Sequence, residues 1–298
     1  MHPKDLLLAV LVTAIWGINF SLIKLGLVSL DPFTLAAFRF LLCAIPLVFF
    51  VEKPDVSLMY IATYGFIFGV GLWGIVSLGI YFGISAGVAS LVLQFSAFLT
   101  VLLGFLLLNE KISRFKKWGS ALALAGLVLI ITITDGSVTY IGLALVLFGA
   151  LSWSLANIIV KKSGTKKMFA FLVWSSVFSP IPLFLLGSMT QDENYFSNLL
   201  LQLDRNAIYS ILFQVYPTTL FGYWVWNSLL KKYPASTVAP LSLLVPIFGL
   251  IGSSVLLDEA MGTKKILASI LIISGLTISV LGERLYQSYR SVNSRPAR

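Results

Sequence analysis

Polar side chains are scarce in the apolar stretches of this chain, so the deep ones can be taken singly. Asn19, Gln94 and Asn157 offer amides and Arg39 a guanidinium; Trp16, Trp73, Trp153 and Tyr223 offer aromatic faces. Amides bond an ammonium or a carboxylate, a guanidinium pairs with a carboxylate, and a tryptophan face attracts a cation. Such groups suit noncovalent recognition of a small zwitterion or another small organic solute. Covalent chemistry is poorly served. The one histidine, His2, is terminal, and the one cysteine, Cys43, cannot form an internal disulfide or a thiolate cage. No paired carboxylates lie at depth, so acid–base pairs and metal-ligand sets are missing. We expect no enzymatic activity, no metal and no cofactor.

Each group also has a structural reading. Buried amides bond helices together, often for only about 0.6 kcal/mol each. Trp16 and Trp153 can be plain packing, and Arg39 can snorkel to an interface or bond helix-end carbonyls. Gly65 and Gly69, with Trp73 one turn on, fit close helix packing better than a substrate groove. Trp226 reads as an interfacial belt residue. Glu110 and Glu259 close two helices where a carboxylate opposes the macrodipole; each therefore needs a compensating partner and is read as a gate or hinge anchor. Pro240 and Pro246 break a helical hydrogen-bond ladder, giving either a bend for motion or a static kink.

The elements that position these residues are membrane spans. Of 298 residues, 58% are hydrophobic and 11% charged, with a mean hydropathy of +0.95; soluble domains carry about 25% charged residues. Soluble enzymes, nucleic-acid-binding modules and disordered chains are excluded. Apolar runs predict an all-α membrane protein with ten spans, at 6–27, 33–51, 58–82, 86–108, 115–134, 140–160, 169–189, 207–230, 235–257 and 265–281. At about 1.5 Å per residue, Trp16, Asn19 and Gln94 fall near mid-membrane. The long connection 191–206 places Phe196, Leu199, Leu200 and Leu203 at near-helical spacing, as an interfacial helix or a solvated loop. The first span is too long for a signal-peptide core and is read as retained.

With the N-terminus inside, sixteen Lys/Arg fall on the cytoplasmic side, four opposite and Arg39 within a span. The positive-inside rule then places both termini in the cytoplasm and explains the +9 net charge without nucleic acid. A channel's filter loop or ring of charges is not visible.

The chain also aligns with itself. Trp16 precedes Lys24 by eight residues and Trp153 precedes Lys161 by eight; a shift of 149 lays Ala86 on Ala235, Glu110 on Glu259 and Gly126 on Gly275. A duplicated five-helix unit follows, 1–136 and 137–285, with a basic cytoplasmic tail at 286–298. Five is odd, so the second copy enters the membrane from the opposite face. Inverted repeats place a site at the midplane between halves that rock.

The segments Trp16-Gly17-Ile18-Asn19-Phe20 and Ile23-Lys24-Leu25-Gly26 resemble the drug/metabolite transporter superfamily. Ser90-Leu91-Val92-Leu93-Gln94, the run Ala239 to Pro246, and Leu257-Asp258-Glu259 resemble its EamA branch. The resemblance is closest to bacterial inner-membrane exporters of amino-acid metabolites such as O-acetylserine and cysteine. It implies a ten-helix carrier in the inner membrane that binds a small-molecule substrate and exports it by alternating access. An aromatic amino acid or a small xenobiotic is the alternative cargo on the same fold. Oligomeric state and coupling ion stay open.

Overall fold

The computed structural model of the protein describes residues 1–191, 193–233 and 235–293. Asp192 and the end of the expected tail, with Arg295 and Arg298, lie outside the described residues. The described residues contain helices and no strand. In hydrocarbon every backbone N–H and C=O must be satisfied within the protein, and a helix does this along its own length. The helix starts carry polar caps: Asp31 accepts from the Phe33 and Thr34 amides, Ser85 from Val88, Ser113 from Lys116 and Thr139 from Gly142.

Among the described residues, eight helices are long and apolar enough to cross a membrane: Pro3–Gly26, Pro32–Phe49, Leu58–Tyr81, Ala86–Leu108, Tyr140–Ser163, Met168–Thr190, Ala239–Leu257 and Thr263–Glu283. The other two expected spans are helical, at Arg114–Ile131 and across 205–232, but fall short of that standard. The first opens on Arg114, Lys116 and Lys117; the second carries Gln214, Pro217, Thr218 and Thr219 at its middle. Large side chains such as Leu7, Phe105, Phe148, Ile181 and Val255 are exposed on the outer faces, where lipid rather than water suits them.

Several elements depart from the expected uniform helices. The 58–81 helix widens to π geometry over Ile67–Gly74, and the 205–232 helix does so over Gln214–Phe221 around Pro217. The 86–108 helix breaks at Leu93–Gln94. The last helix continues to Asn293, into the segment expected as a tail. Among the described residues between Gln191 and Asp204, helix is confined to the turn Tyr195–Asn198, short of an interfacial helix. That turn is pinned because the buried Tyr195 hydroxyl bonds Thr34, while Phe196 and Leu200 remain exposed.

The prolines of the 239–257 stretch sit where the helix changes type. Ala239–Leu244 is a 3-10 helix with Pro240 in its first turn, and Pro246 opens the α-helix Val245–Leu257. At these first-turn positions proline's missing N–H costs no ladder bond. The helix that starts at Ala235 changes to 3-10 geometry just before Pro240 and back to α just before Pro246.

The Arg114–Ile131 and Thr263–Asn293 helices pack mainly on each other. Their crossing depends on Gly119 and Gly275. A Cβ on Gly275 would lie 2.5 Å from the Gly119 carbonyl oxygen and 2.9 Å from the Ala123 amide nitrogen, both backbone atoms that cannot swing aside. Gly275→Leu is therefore expected to separate the pair and cost about 1–3 kcal/mol, read as a lower thermal midpoint in detergent. An unchanged midpoint would show that the crossing is not tightly held.

Candidate functional site

A cavity of about 470 Å³ lies among the helices 3–26, 32–44, 58–81, 86–108, 140–163, 168–190, 205–232 and 239–257. Several of them contribute through a local irregularity, the others through side chains on regular helix. The 3-10 segment sends Ala239 and Ser242 into the cavity, and Val245 follows at the same interval. With three residues per turn, positions three apart eclipse one another and share a face. Gln94 lines the wall from the break in its helix. Trp73 comes from one π segment and Thr218 from the other. Wide π turns displace side chains from the regular α register and recur at functional sites.

Seven of the eight expected binding residues line this cavity: Trp16, Arg39, Trp73, Gln94, Trp153, Asn157 and Tyr223. Asn19 does not. It is fully buried, off the cavity surface, and neither its amide nitrogen nor its oxygen has a hydrogen-bond partner. On a 3.6-residue helix Asn19 is turned about 60° from Trp16, whereas Phe20, one turn above Trp16, does face the cavity. Asn157 is exposed and also donates to Thr100 Oγ1 at 3.4 Å.

Aromatic groups form much of the wall. The Trp16 ring lies 5.4 Å from Tyr223 and 5.1 Å from Trp226, and its Nε1 donates to the Thr218 carbonyl at 2.9 Å. Trp226 is thus a cavity residue and not the expected belt residue, because the wider turns before it rotate this end of the helix inward. Sequence reading missed Phe20, Tyr64, Thr218 and the supports Gln214 and Thr219; the one cue was Pro217 beside polar residues inside an apolar helix. Gly65 and Gly69 pack against the Ser175 and Ser179 region of the 168–190 helix, as expected.

Arg39 is 1% exposed, so it does not snorkel. Its Nε and Nη2 donate to Thr219 Oγ1 at 3.3 and 3.1 Å, and Nη1 donates to Gln214 Oε1 at 3.4 Å. Its guanidinium carbon sits 4.2 Å from the Trp73 ring centroid. Among the described residues it forms no ion pair. An arginine inside a membrane span is costly, by about 2.5–3.5 kcal/mol at the centre on insertion scales, so its retention beside a cavity calls for a reason.

Both glutamates find lysine partners. Glu259 accepts from Lys24 at 2.9 Å and from the Ala86 and Gly87 amides at 3.0 and 3.2 Å. Glu110 pairs with Lys161. Each glutamate follows a left-handed residue, Asn109 or Asp258, and its own amide bonds back to Gly104 or Ser253. The two pairs differ in shelter, with side-chain exposures of 10% at Glu259 and 40% at Glu110. The Lys161 hydrogen bond holds the Glu110 carboxyl below its ordinary value. At Glu259 burial pushes the carboxyl up, but Lys24 and the two backbone amides outweigh this and hold it below its ordinary value.

The profile of the EamA-like transporter family matches residues 4–132 and again 140–281. A Salmonella typhimurium protein named "Probable amino-acid metabolite efflux pump" is 37% identical, over 97% of this chain and 99% of its own. An Escherichia coli protein of the same name is also 37% identical, over 95% of this chain and 97% of its own. A solved crystal structure with 16% identity superposes with a TM-score of 0.59, over 95% of this chain and 99% of that one; it speaks to the fold alone.

The depressed Glu259 carboxyl gives a pH dependence with a definite sign. A carboxylate whose folded value lies below its unfolded value stabilises fully above the unfolded value, and this is lost as the pH falls through the folded one. The Lys24–Glu259 link should therefore hold at neutral pH and loosen in acid, below the ordinary glutamate range. Glu259→Gln is expected to cost about 1–3 kcal/mol at pH 7 and to flatten the acid limb of the stability profile. Wild type and variant losing stability in parallel on acidification would refute this assignment.

Proposed function

The chain belongs to the EamA-like transporter family, and from that premise we propose that it exports small amino-acid metabolites, of the cysteine and O-acetylserine type, by alternating access. The observation that carries this reading is the central cavity, whose wall combines aromatic faces with Arg39, Gln94 and Asn157. A zwitterion needs both kinds of surface. The names of the 37% identical relatives point to the same cargo class. Trp16, Trp73, Trp153 and Tyr223 shape the pocket, while Arg39, Gln94 and Asn157 supply its polar contacts; Asn19 acts only by supporting the wall.

The proposed architecture is ten transmembrane helices in two inverted halves, 1–136 and 137–285, in a bacterial inner membrane with both termini cytoplasmic. It is supported by the twofold profile match and by the shared geometry at Asn109–Glu110 and Asp258–Glu259, 149 residues apart. Each glutamate pairs with a lysine of the other half. In this reading Lys24–Glu259 latches the periplasmic side and Lys161–Glu110 the cytoplasmic side. The cavity lining reaches Val160 and Met168, beside the lysine-rich 161–167 turn. Both pairs are formed in the structure described, the Lys24–Glu259 one the more sheltered. The helix-type changes at Pro240 and Pro246 are the hinges.

The Trp16–Tyr223–Trp226 cluster favours a second reading, export of an aromatic amino acid or a small xenobiotic. Proteoliposomes loaded with a panel of solutes separate the two. L-cysteine and O-acetyl-L-serine are expected to leave faster than from empty-membrane controls, and Trp16→Ala should slow them at least tenfold. Retention of both, with release of aromatic amino acids, would select the second reading. The described cavity lining contains no carboxylate or histidine, so efflux down a gradient should need no imposed pH difference; strict dependence on one would overturn that.

A further inference from the structure

We propose that Arg39 is the seat of a substrate carboxylate, so that a carboxylate is the one group a cargo must carry; this rests on the cavity being the transport site. The guanidinium has five N–H donors. Three are used, all on neutral acceptors: two on Thr219 Oγ1 and one on Gln214 Oε1. Two remain, one on each terminal nitrogen, enough for a paired bond to a carboxylate.

The supports orient the group without neutralising it. Gln214 Nε2 donates to Ser210 Oγ at 3.0 Å, and Ser210 Oγ donates to the Leu22 carbonyl at 2.5 Å. This anchors the amide so that its oxygen faces Arg39. Thr219 Oγ1 donates to the Gln214 carbonyl at 2.7 Å, five residues back along the π turn, leaving its lone pairs for Arg39. The charge is thus held firmly and left uncompensated.

A second observation points the same way. Trp73 Nε1 and Thr218 Oγ1 are buried atoms of cavity-lining residues, and neither has a hydrogen-bond partner. Trp73 carries Arg39 on its ring, and Thr218 is the chain neighbour of Thr219. Unused donors on three residues of one cavity wall, with no carboxylate in the described lining, are the complement of an anion. The side chain of the cargo then lies toward Trp16 and Tyr223, where the wall is aromatic and tolerant of shape. Amines without a carboxylate, including cationic xenobiotics, are excluded by the like charge of Arg39.

Thermal unfolding of the purified full-length protein, titrated with small probes, tests the seat without requiring transport. L-cysteine and 3-mercaptopropionate, which carry the carboxylate, are expected to raise the midpoint. Cysteamine, which has the amine alone, should not do so even at tenfold higher concentration, nor should chloride. Arg39→Gln should abolish the carboxylate response, and Arg39→Lys should shift it to at least tenfold higher concentration. Equal responses to cysteamine or chloride, or a full carboxylate response in folded Arg39→Gln, would overturn the proposal. Should Arg39→Gln not fold, an unshifted titration in Arg39→Lys decides against it. Loss of cysteine efflux with an intact carboxylate response would instead count against the export reading and leave the seat standing.

Discussion

Inside a bilayer, backbone that leaves the regular α-helical pattern is tolerated only where it is buried in protein or lines a cavity. The structure is arranged around that restriction. Four of its irregular segments are the π turns at Ile67–Gly74 and Gln214–Phe221, the break at Leu93–Gln94 and the 3-10 run Ala239–Leu244. All four contribute to the cavity wall, beside regular helix that carries Trp16, Arg39 and Trp153 there. The same segments supply Gln94, Thr218 and Ser242 to the wall.

Arg39 shows how such a site supports a group that the membrane alone would not tolerate. Its partners come from one π turn and its aromatic floor from the other. Neither partner brings a charge, so the positive field remains directed at the cavity. A buried Asp or Glu as partner would have stabilised the pair and removed that field. The energetic cost of the lone charge is thus tied to its proposed use.

The ion pairs at the helix ends have a different character. Lys24–Glu259 is reinforced by two helix-start amides of the 86–92 segment, where a carboxylate meets the favourable end of a helix dipole. Lys161–Glu110 is more open to its surroundings. An exposed pair contributes little and yields easily; a sheltered one with three donors is harder to part. Both pairs are formed, so the asymmetry lies in how readily each would part.

The sequence by itself determined the membrane class, the helical segments and several key residues of the cavity wall. Apolar runs are dictated by the solvent, and polar or large aromatic residues at mid-depth are costly unless they face inward. Seven of the eight residues selected on that ground do line the cavity. Depth is a property of one segment, so it can be read along the chain. The sequence could not supply the azimuth. Asn19 and Phe20 differ in facing by only 100° on an ideal helix, and packing alone decided that Phe20 meets the cavity and Asn19 the neighbouring helices. Nor could it place the π turns, which rotate Trp226 inward and bring Gln214 and Thr219 to Arg39 from 175 and 180 residues away. Those pairings depend on how separate helices pack against each other, and a linear pattern of residue types does not encode that geometry locally.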